Sequence, residues 1–184
     1  MATIDLIVLG ILKRESLSAY DIQKLVEYRN ISKWVKISTP SIYKKVLQLE
    51  EKGFIKSRIV KEGKMPEKAV YSITRQGEQE FEKLMLEIAA KSIRIYLDFN
   101  AVIVNLDSLS QEKQNVCLAN IESNVEQLKS CLEENFLAKE NMPDIPENGM
   151  AVLEQQLILA RAIETWISAL KKGAGNANLD NTGK

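Results

Sequence analysis

The feature that most constrains this chain is the stretch 38–54, which has a helix start, one apolar face and a strong stop. Pro40 suits the first turn of a helix, where a backbone N–H has no partner, and Ser38 or Thr39 can cap it. Gly53 suits the left-handed position after the helix. The apolar residues recur at spacings of four and three, which predicts one buried stripe: Ile42, Val46 and Leu49.

The other side of this predicted helix is polar and cationic. It carries Ser41, Lys44, Lys45 and Gln48. Cations and hydrogen-bond donors on one exposed helical face are what a protein needs to read a phosphate-lined groove. Two lysines on an exposed helix are also common as simple surface solvation, so this face alone does not decide the function.

A β-hairpin with a basic tip is predicted immediately after this helix. The segments 55–61 and 69–74 are β-branched and alternating, and Gly63 and Pro66 punctuate the connector 62–68. Three helices followed by a hairpin is the order of a winged helix-turn-helix. Some winged helices bind DNA and others are protein–protein interaction scaffolds, and the order does not separate the two.

Charge is distributed unevenly along the chain. Residues 1–80 carry 15 Lys and Arg against 10 Asp and Glu, whereas residues 81–184 carry 10 against 15. The segment 28–49 has basic residues and no acid. This bias favours a polyanionic partner for the N-terminal half.

Enzymatic chemistry has little support in the composition. The chain has no histidine, so it can build no Ser–His or Cys–His nucleophile and no ordinary zinc site. It also lacks a Gly-rich phosphate loop. We therefore expect no catalytic residues, no metal and no cofactor.

The rest of the chain predicts a mainly α protein: an N-terminal winged helix-turn-helix with a two-stranded wing, then a helical dimerisation domain. We expect a DNA-binding domain over residues 1–77, a helical dimerisation and effector domain over 78–172, and a disordered tail over 173–184. Helices are expected over 95–106 and 150–171. No apolar run reaches membrane-spanning length and no signal-peptide pattern is present, so we expect a soluble, cytoplasmic protein.

A seam with heptad-like spacing in the C-terminal half indicates self-association. Its residues step by four, three, four and four: Ile121, Val125, Leu128, Leu132 and Phe136. The first helix is apolar nearly all round and also needs a second layer. Both features favour a homodimer.

Several spaced motifs of residues 1–80 resemble the PadR family of bacterial transcriptional regulators. They are Ser18-Ala19-Tyr20-Asp21-Ile22, Thr39-Pro40-Ser41-Ile42-Tyr43, Leu49-Glu50-Glu51-Lys52-Gly53-Phe54-Ile55, Val70-Tyr71-Ser72-Ile73-Thr74 and Gly77. The later helices are similar in layout to the C-terminal domain of longer members. One departure is Ser18-Ala19, where the family often has His-Gly.

The resemblance implies a dimer that binds operator DNA, usually as a repressor. Two-fold symmetry of such a dimer then implies a pseudo-palindromic operator. It implies that Tyr43 contacts the DNA backbone, that its helix lies in the major groove and that Lys64 and Lys68 of the wing reach the adjacent minor groove or its phosphates. Lysines mainly neutralise phosphate, so Ser41 and Gln48 are better candidates for base edges. The full predicted DNA-binding set is Ser38, Thr39, Ser41, Tyr43, Lys44, Lys45, Gln48, Lys64 and Lys68.

A small-molecule site is a second possibility for the C-terminal helices. Tyr96, Phe99 and Trp166, with Arg94 and Arg161 nearby, could line a pocket for a flat effector, anionic if the arginines take part. The alternative is that Phe99 and Trp166 are core residues and that the arginines pair with glutamates on a helix surface.

Overall fold

The chain divides into two units in this computed structural model, Met1–Arg94 and Ile95–Lys184. The structure describes residues 2–35, 37–38, 40–61, 67–143 and 145–180, with the backbone alone from 173 onwards. None of the helices in these ranges combines the length and hydropathy that a bilayer crossing requires.

The N-terminal unit is a winged helix-turn-helix, which confirms the predicted fold class. Three helices come first, then a hairpin, then a fourth helix: α1 (Ala2–Leu12), α2 (Ala19–Tyr28), α3 (Ser41–Glu51), β1 (Ile55–Val60), β2 (Lys68–Ile73) and α4 (Arg75–Ala89). A short 3-10 helix, Ile31–Lys33, lies between α2 and α3.

The core of this unit collects the apolar stripes of its helices. Val8 and Leu9 of α1 are fully buried. Facing them are the buried residues Ile22, Ile42, Val46, Leu49 and Ile55. Trp34 packs against this cluster from the turn before α3, so the aromatic side chain there has a packing role.

The wing is an antiparallel pair in which Ile55 lies opposite Ile73 and Val60 opposite Lys68. Leu17 adds a single bridge to the hairpin: Tyr71 N donates to Leu17 O at 2.9 Å and Leu17 N donates to Tyr71 O at 3.2 Å. The turn between α1 and α2 is thereby tied to β2.

The end of α3 has the predicted stop signal. Gly53 has φ 74°, in the left-handed region. Its N–H donates to Glu50 O at 2.8 Å, and Phe54 N donates to Leu49 O at 3.0 Å. This pair of bonds is a Schellman motif, which turns the chain from α3 directly into β1.

Thr74 joins the end of α3 to the start of α4. Its Oγ1 donates to Gly53 O at 2.7 Å and accepts from Gly77 N at 3.1 Å, which caps α4. Gly77 itself has no room for a side chain, since a Cβ there would lie 2.0 Å from Phe54 O. The start of α4 therefore packs backbone against backbone on the turn that follows α3.

The first unit extends beyond the boundary expected from sequence. It ends at Arg94 rather than near residue 77, because α4 packs on α1. Leu84 of α4 belongs to the buried core. A Cβ on Gly10 of α1 would lie 3.1 Å from the ring of Phe81.

The C-terminal unit contains a short helix and two long ones: α5 (Asn100–Ile103), α6 (Gln111–Lys139) and α7 (Glu147–Asp180). Its core is formed by Leu118, Ile121, Val125 and Ile167. Ion pairs join α6 to α7 along their length: Lys129 with Glu164, Lys171 with Glu122 and Arg161 with Glu133.

Three features of this unit differ from the sequence expectations. The segment 95–106 is mostly irregular, with a single helical turn at α5. The helix assignment of α7 continues to Asp180, into the segment expected to be a disordered tail; residues 181–184 lie outside the described part. Ile121 and Val125 of the apolar seam are buried within the chain, whereas Leu128 is 50% exposed.

Candidate nucleic-acid interface and ligand cavity

The outer face of α3 is the first candidate site. Tyr43 is 60% exposed, and Lys44 is exposed beside it. Leu47, which the sequence pattern does not single out, is 41% exposed. Ser41 and Gln48 are half-buried at the edges of this face. The structure therefore presents a phenol, an ammonium, an amide and a hydroxyl together on one helical surface.

Lys45 does not belong to this surface, although the sequence prediction placed it there. Its side chain is 11% exposed, and Nζ lies 2.8 Å from Oδ1 of Asp5 on α1. The physical reason is helical spacing, since Lys45 is three residues from Ile42 and four from Leu49, both buried. The contact is an ion pair rather than a well-aligned hydrogen bond, because Asp5 Oδ1 has no hydrogen-bond partner of normal geometry.

The start of α3 differs from the predicted capping. Pro40 occupies the cap position, where no side chain caps the helix. Instead, the carbonyl oxygen of Ser38 accepts bonds from Ser41 N at 3.0 Å and from Ser41 Oγ at 2.5 Å. Thr39 lies outside the described residues. Ser38 itself is exposed.

The described part of the wing also carries cations. Lys68 lies 3.9 Å from Asp21, the residue that Ser18 caps at the start of α2. Lys56 and Arg58 of β1, which sequence reasoning did not select, are exposed. The predicted wing residue Lys64 lies outside the described residues.

Among the described residues, two side chains have pKa values that their surroundings shift. Burial raises the pKa of Tyr71 above its ordinary 10.0, and the nearby Glu50 and Tyr43 add to the effect. A hydrogen bond to Glu164 raises the pKa of Lys129, against the opposing effect of desolvation. Tyr71 is therefore a neutral core residue and Lys129 a charged one, so neither is suited to proton transfer near neutral pH.

The second candidate site is a cavity of about 430 Å³ within the C-terminal unit. Phe99 and Trp166 stack in its wall, with ring centroids 5.9 Å apart and planes at 25°. Most of the other lining residues are aliphatic: Ile95, Leu97, Leu128, Leu159, Ala160, Ala162 and Ile163. Asn100 and Gln156 are the polar residues in the lining.

Some of the residues predicted for a ligand pocket line this cavity and others do not. Phe99 and Trp166 meet in it, and Trp166 is 41% exposed rather than buried in the core. Tyr96 is 78% exposed and does not line the cavity. Arg161 pairs with Glu133 at 3.1 Å, as the alternative interpretation expects. Neither Arg161 nor Arg94 lines the cavity.

Comparison with known proteins identifies the type of regulator. The model of the transcriptional regulator PadR-like family matches residues 8–83, which span the winged helix-turn-helix and most of α4. The N-terminal unit of the chain is PadR-like. Because members of this family are transcriptional regulators, the prediction that the chain is not an enzyme is confirmed.

Solved structures share the fold of this PadR-like chain over both units. Bacillus subtilis PadR in complex with operator DNA has a TM-score of 0.78 and 21% identity, covering 94% of this chain and 99% of that one. The same protein with p-coumaric acid has a TM-score of 0.75 and 20% identity, covering 94% and 95%. The Vibrio cholerae virulence activator AphA has a TM-score of 0.66 and 18% identity, covering 96% and 98%. No curated protein sequence matches this PadR-like chain.

Proposed function

We propose that this PadR-like regulator is a homodimeric repressor that binds operator DNA. In the proposal α3 enters the major groove and the wing lies against the adjacent minor groove or its phosphates. The carrying observation is the exposed face of α3, where Lys44 stands beside Tyr43 without an ion pair among the described residues. Support also comes from the shared fold with B. subtilis PadR, which has been solved with operator DNA.

The distribution of uncompensated cations supports DNA rather than protein as the partner. Lys33, Lys44, Lys56 and Arg58 are all exposed, and none has an ion pair within the described ranges. A surface that keeps its cations unpaired attracts phosphates and releases counterions on binding.

The salt dependence of binding tests this assignment. The full-length chain is used to select a duplex from random-sequence DNA, and its affinity is measured at several salt concentrations. Lys44→Ala should reduce the slope of log K against log salt by about 0.9 for each phosphate that Lys44 neutralises. Lys113→Ala, at an exposed lysine on α6, is the matched control and should leave the slope unchanged.

A second comparison separates Lys44 from Lys45. The double variant Asp5→Leu/Lys45→Met removes the buried pair as a unit, and it should bind with the wild-type slope because Lys45 contacts no phosphate. If Lys44→Ala keeps the wild-type slope, Lys44 is not at the interface. If no duplex is enriched at all, the winged-helix interaction scaffold is the better account of this chain.

Dimerisation is proposed from the apolar surface of the long helices. Leu128 and Leu137 of α6 and Ile158 of α7 are 50%, 69% and 59% exposed. A second copy of the chain would remove this surface from water, and two-fold symmetry then requires a pseudo-palindromic operator. Repression follows if the operator overlaps a promoter. A reporter gene placed behind the selected duplex shows whether the protein represses or activates transcription.

We further propose that a small molecule in the 430 Å³ cavity releases the DNA. Since no cation among the described side chains lines the cavity and Phe99 stacks on Trp166, the favoured ligand is a flat and uncharged molecule rather than the anion considered from sequence. An effector that binds better to a dimer with wrongly spaced recognition helices would weaken operator binding through that difference in affinity.

The effector proposal is tested with matched pairs of aromatic amides and carboxylates, scored by release of the selected duplex. The amide of an active pair should act at the lower concentration. Trp166→Leu should abolish release while leaving operator affinity within about twofold, and Glu154→Ala, at an exposed residue of the same helix, should respond like the wild type. A normal response from Trp166→Leu would place the effector elsewhere.

A further inference from the structure

Leu47 is an apolar residue in the middle of the polar face of α3. It follows Tyr43 by four residues and Lys44 by three, so the three side chains form one stripe on the helix. It is 41% exposed, while Ile42, Val46 and Leu49 of the same helix are buried. Leu47 therefore serves the fold little and lies where the proposed interface places DNA.

The major groove offers one base-specific apolar partner for such a side chain. Among the four bases, thymine alone displays a C5-methyl group there, and apolar side chains contact it. The flanking groups favour DNA over a protein partner at this position, because Lys44 has no ion pair within the described residues and the neighbouring Tyr43 is 60% exposed. An exposed leucine that binds a protein partner is more often surrounded by other apolar residues than placed beside an unpaired ammonium group.

We infer that Leu47 is a specificity-determining residue that reads the C5-methyl group of a thymine in each half of the operator. The inference rests on the proposed function and adds to it the base that one side chain recognises. Lys44 and Tyr43 hold the backbone and carry no sequence information, whereas Leu47 discriminates thymine from bases that lack the methyl group.

Replacing thymidine by deoxyuridine removes only that methyl group and keeps every hydrogen-bonding atom of the base. The probes are derived from the duplex that the full-length wild-type chain selects. In each probe, deoxyuridine replaces thymidine at one position in both halves of the operator, and the set of probes covers every thymidine position. Wild-type affinity should fall about fourfold for each methyl group removed at the contacted position, the value expected for one buried carbon.

Three variants separate the role of Leu47 from general weakening. Leu47→Ala should bind the thymidine duplex more weakly and should bind the two duplexes equally. Leu47→Met keeps an apolar side chain of similar volume and should retain most of the preference for thymidine. Leu86→Ala, at a leucine of α4 that is 74% exposed, should show the full wild-type preference.

Each outcome decides the inference. If wild type binds the deoxyuridine duplexes as well as the thymidine duplex at every position, Leu47 reads no methyl group, although salt-dependent selective binding would still uphold the proposed function. If Leu47→Ala keeps the wild-type preference, another residue reads the methyl group and the inference is overturned. If the chain selects no duplex, the inference and the proposed function both fail.

Discussion

At the scale of single residues, Lys44 and Lys45 have opposite environments although they are adjacent. One turn of an α-helix contains 3.6 residues, so neighbours point about 100° apart. Lys44 points to solvent. Lys45 points to the core, where its ammonium group forms an ion pair with Asp5 of α1. The spacing from Ile42 and Leu49 predicts the inward direction of Lys45, but its partner could not be read from sequence because Asp5 is remote along the chain.

The buried pair gives a stability prediction. Removing one partner strands a charge, so Lys45→Met or Asp5→Leu alone should lower the free energy of unfolding by about 3 kcal/mol. The double variant Asp5→Leu/Lys45→Met should be clearly more stable than either single variant, because no uncompensated charge remains. Urea unfolding followed by circular dichroism measures all three. Strictly additive losses would show that the two groups are not coupled.

At the scale of secondary-structure elements, the junction of α3, the wing and α4 depends on Gly77. A Cβ there would meet Phe54 O at 2.0 Å, whereas one on Gly149 of α7 would have no neighbour nearer than 3.8 Å. Gly77→Ala should therefore destabilise the protein by about 3 kcal/mol or more through overpacking. Gly149→Ala should be neutral or stabilising by up to about 1 kcal/mol. Thermal unfolding of both variants checks the sign, and equal shifts would contradict the close packing at Gly77.

The sequence predicted these elements well where the signal lies within a few consecutive residues. The glycine stop after α3 and the alternation of the two strands are both local, and the structure has them at nearly the expected positions. The segment 95–106 shows the limit of periodicity. Phe99, Ile103 and Leu106 pack against the core of the C-terminal unit, but they do so from a mostly irregular segment, since apolar spacing reports contact with a core rather than helical backbone.

At the scale of the whole molecule, the position of α4 determines where the chain can be cut. A fragment of residues 1–94 keeps Phe81 and Leu84 against α1 and should unfold cooperatively. A fragment of residues 1–77 loses them and should not. The 1–94 fragment should also be monomeric by light scattering and should bind the selected duplex more weakly, because two DNA-binding units are no longer linked in one dimer. A dimeric 1–94 fragment with full affinity would remove the dimerisation role from the C-terminal unit.

Assembly and ligand choice were less accessible to sequence than the fold. Ile121 and Val125 of the apolar seam are buried within the chain, whereas Leu128 of the same seam is exposed. Helical spacing does not show which apolar residues of a seam pack within their own chain and which pack against a second chain. Sequence could not predict the partner of Arg161 either, because its pairing with Glu133 depends on how α6 and α7 align. Arg161 therefore does not line the cavity.

The hydroxyl of Thr74, which bonds to Gly53 O and caps α4 through Gly77 N, has a consequence for recognition. With α3, β2 and α4 fastened at one point, the recognition helix and the strands of the wing have few internal degrees of freedom to lose when they meet a duplex. Neither part can shift to suit a groove of the wrong width. If DNA binds as proposed, any misfit must be absorbed by bending or twisting the duplex, so operators should be distinguished by their stiffness at base pairs that the protein never touches.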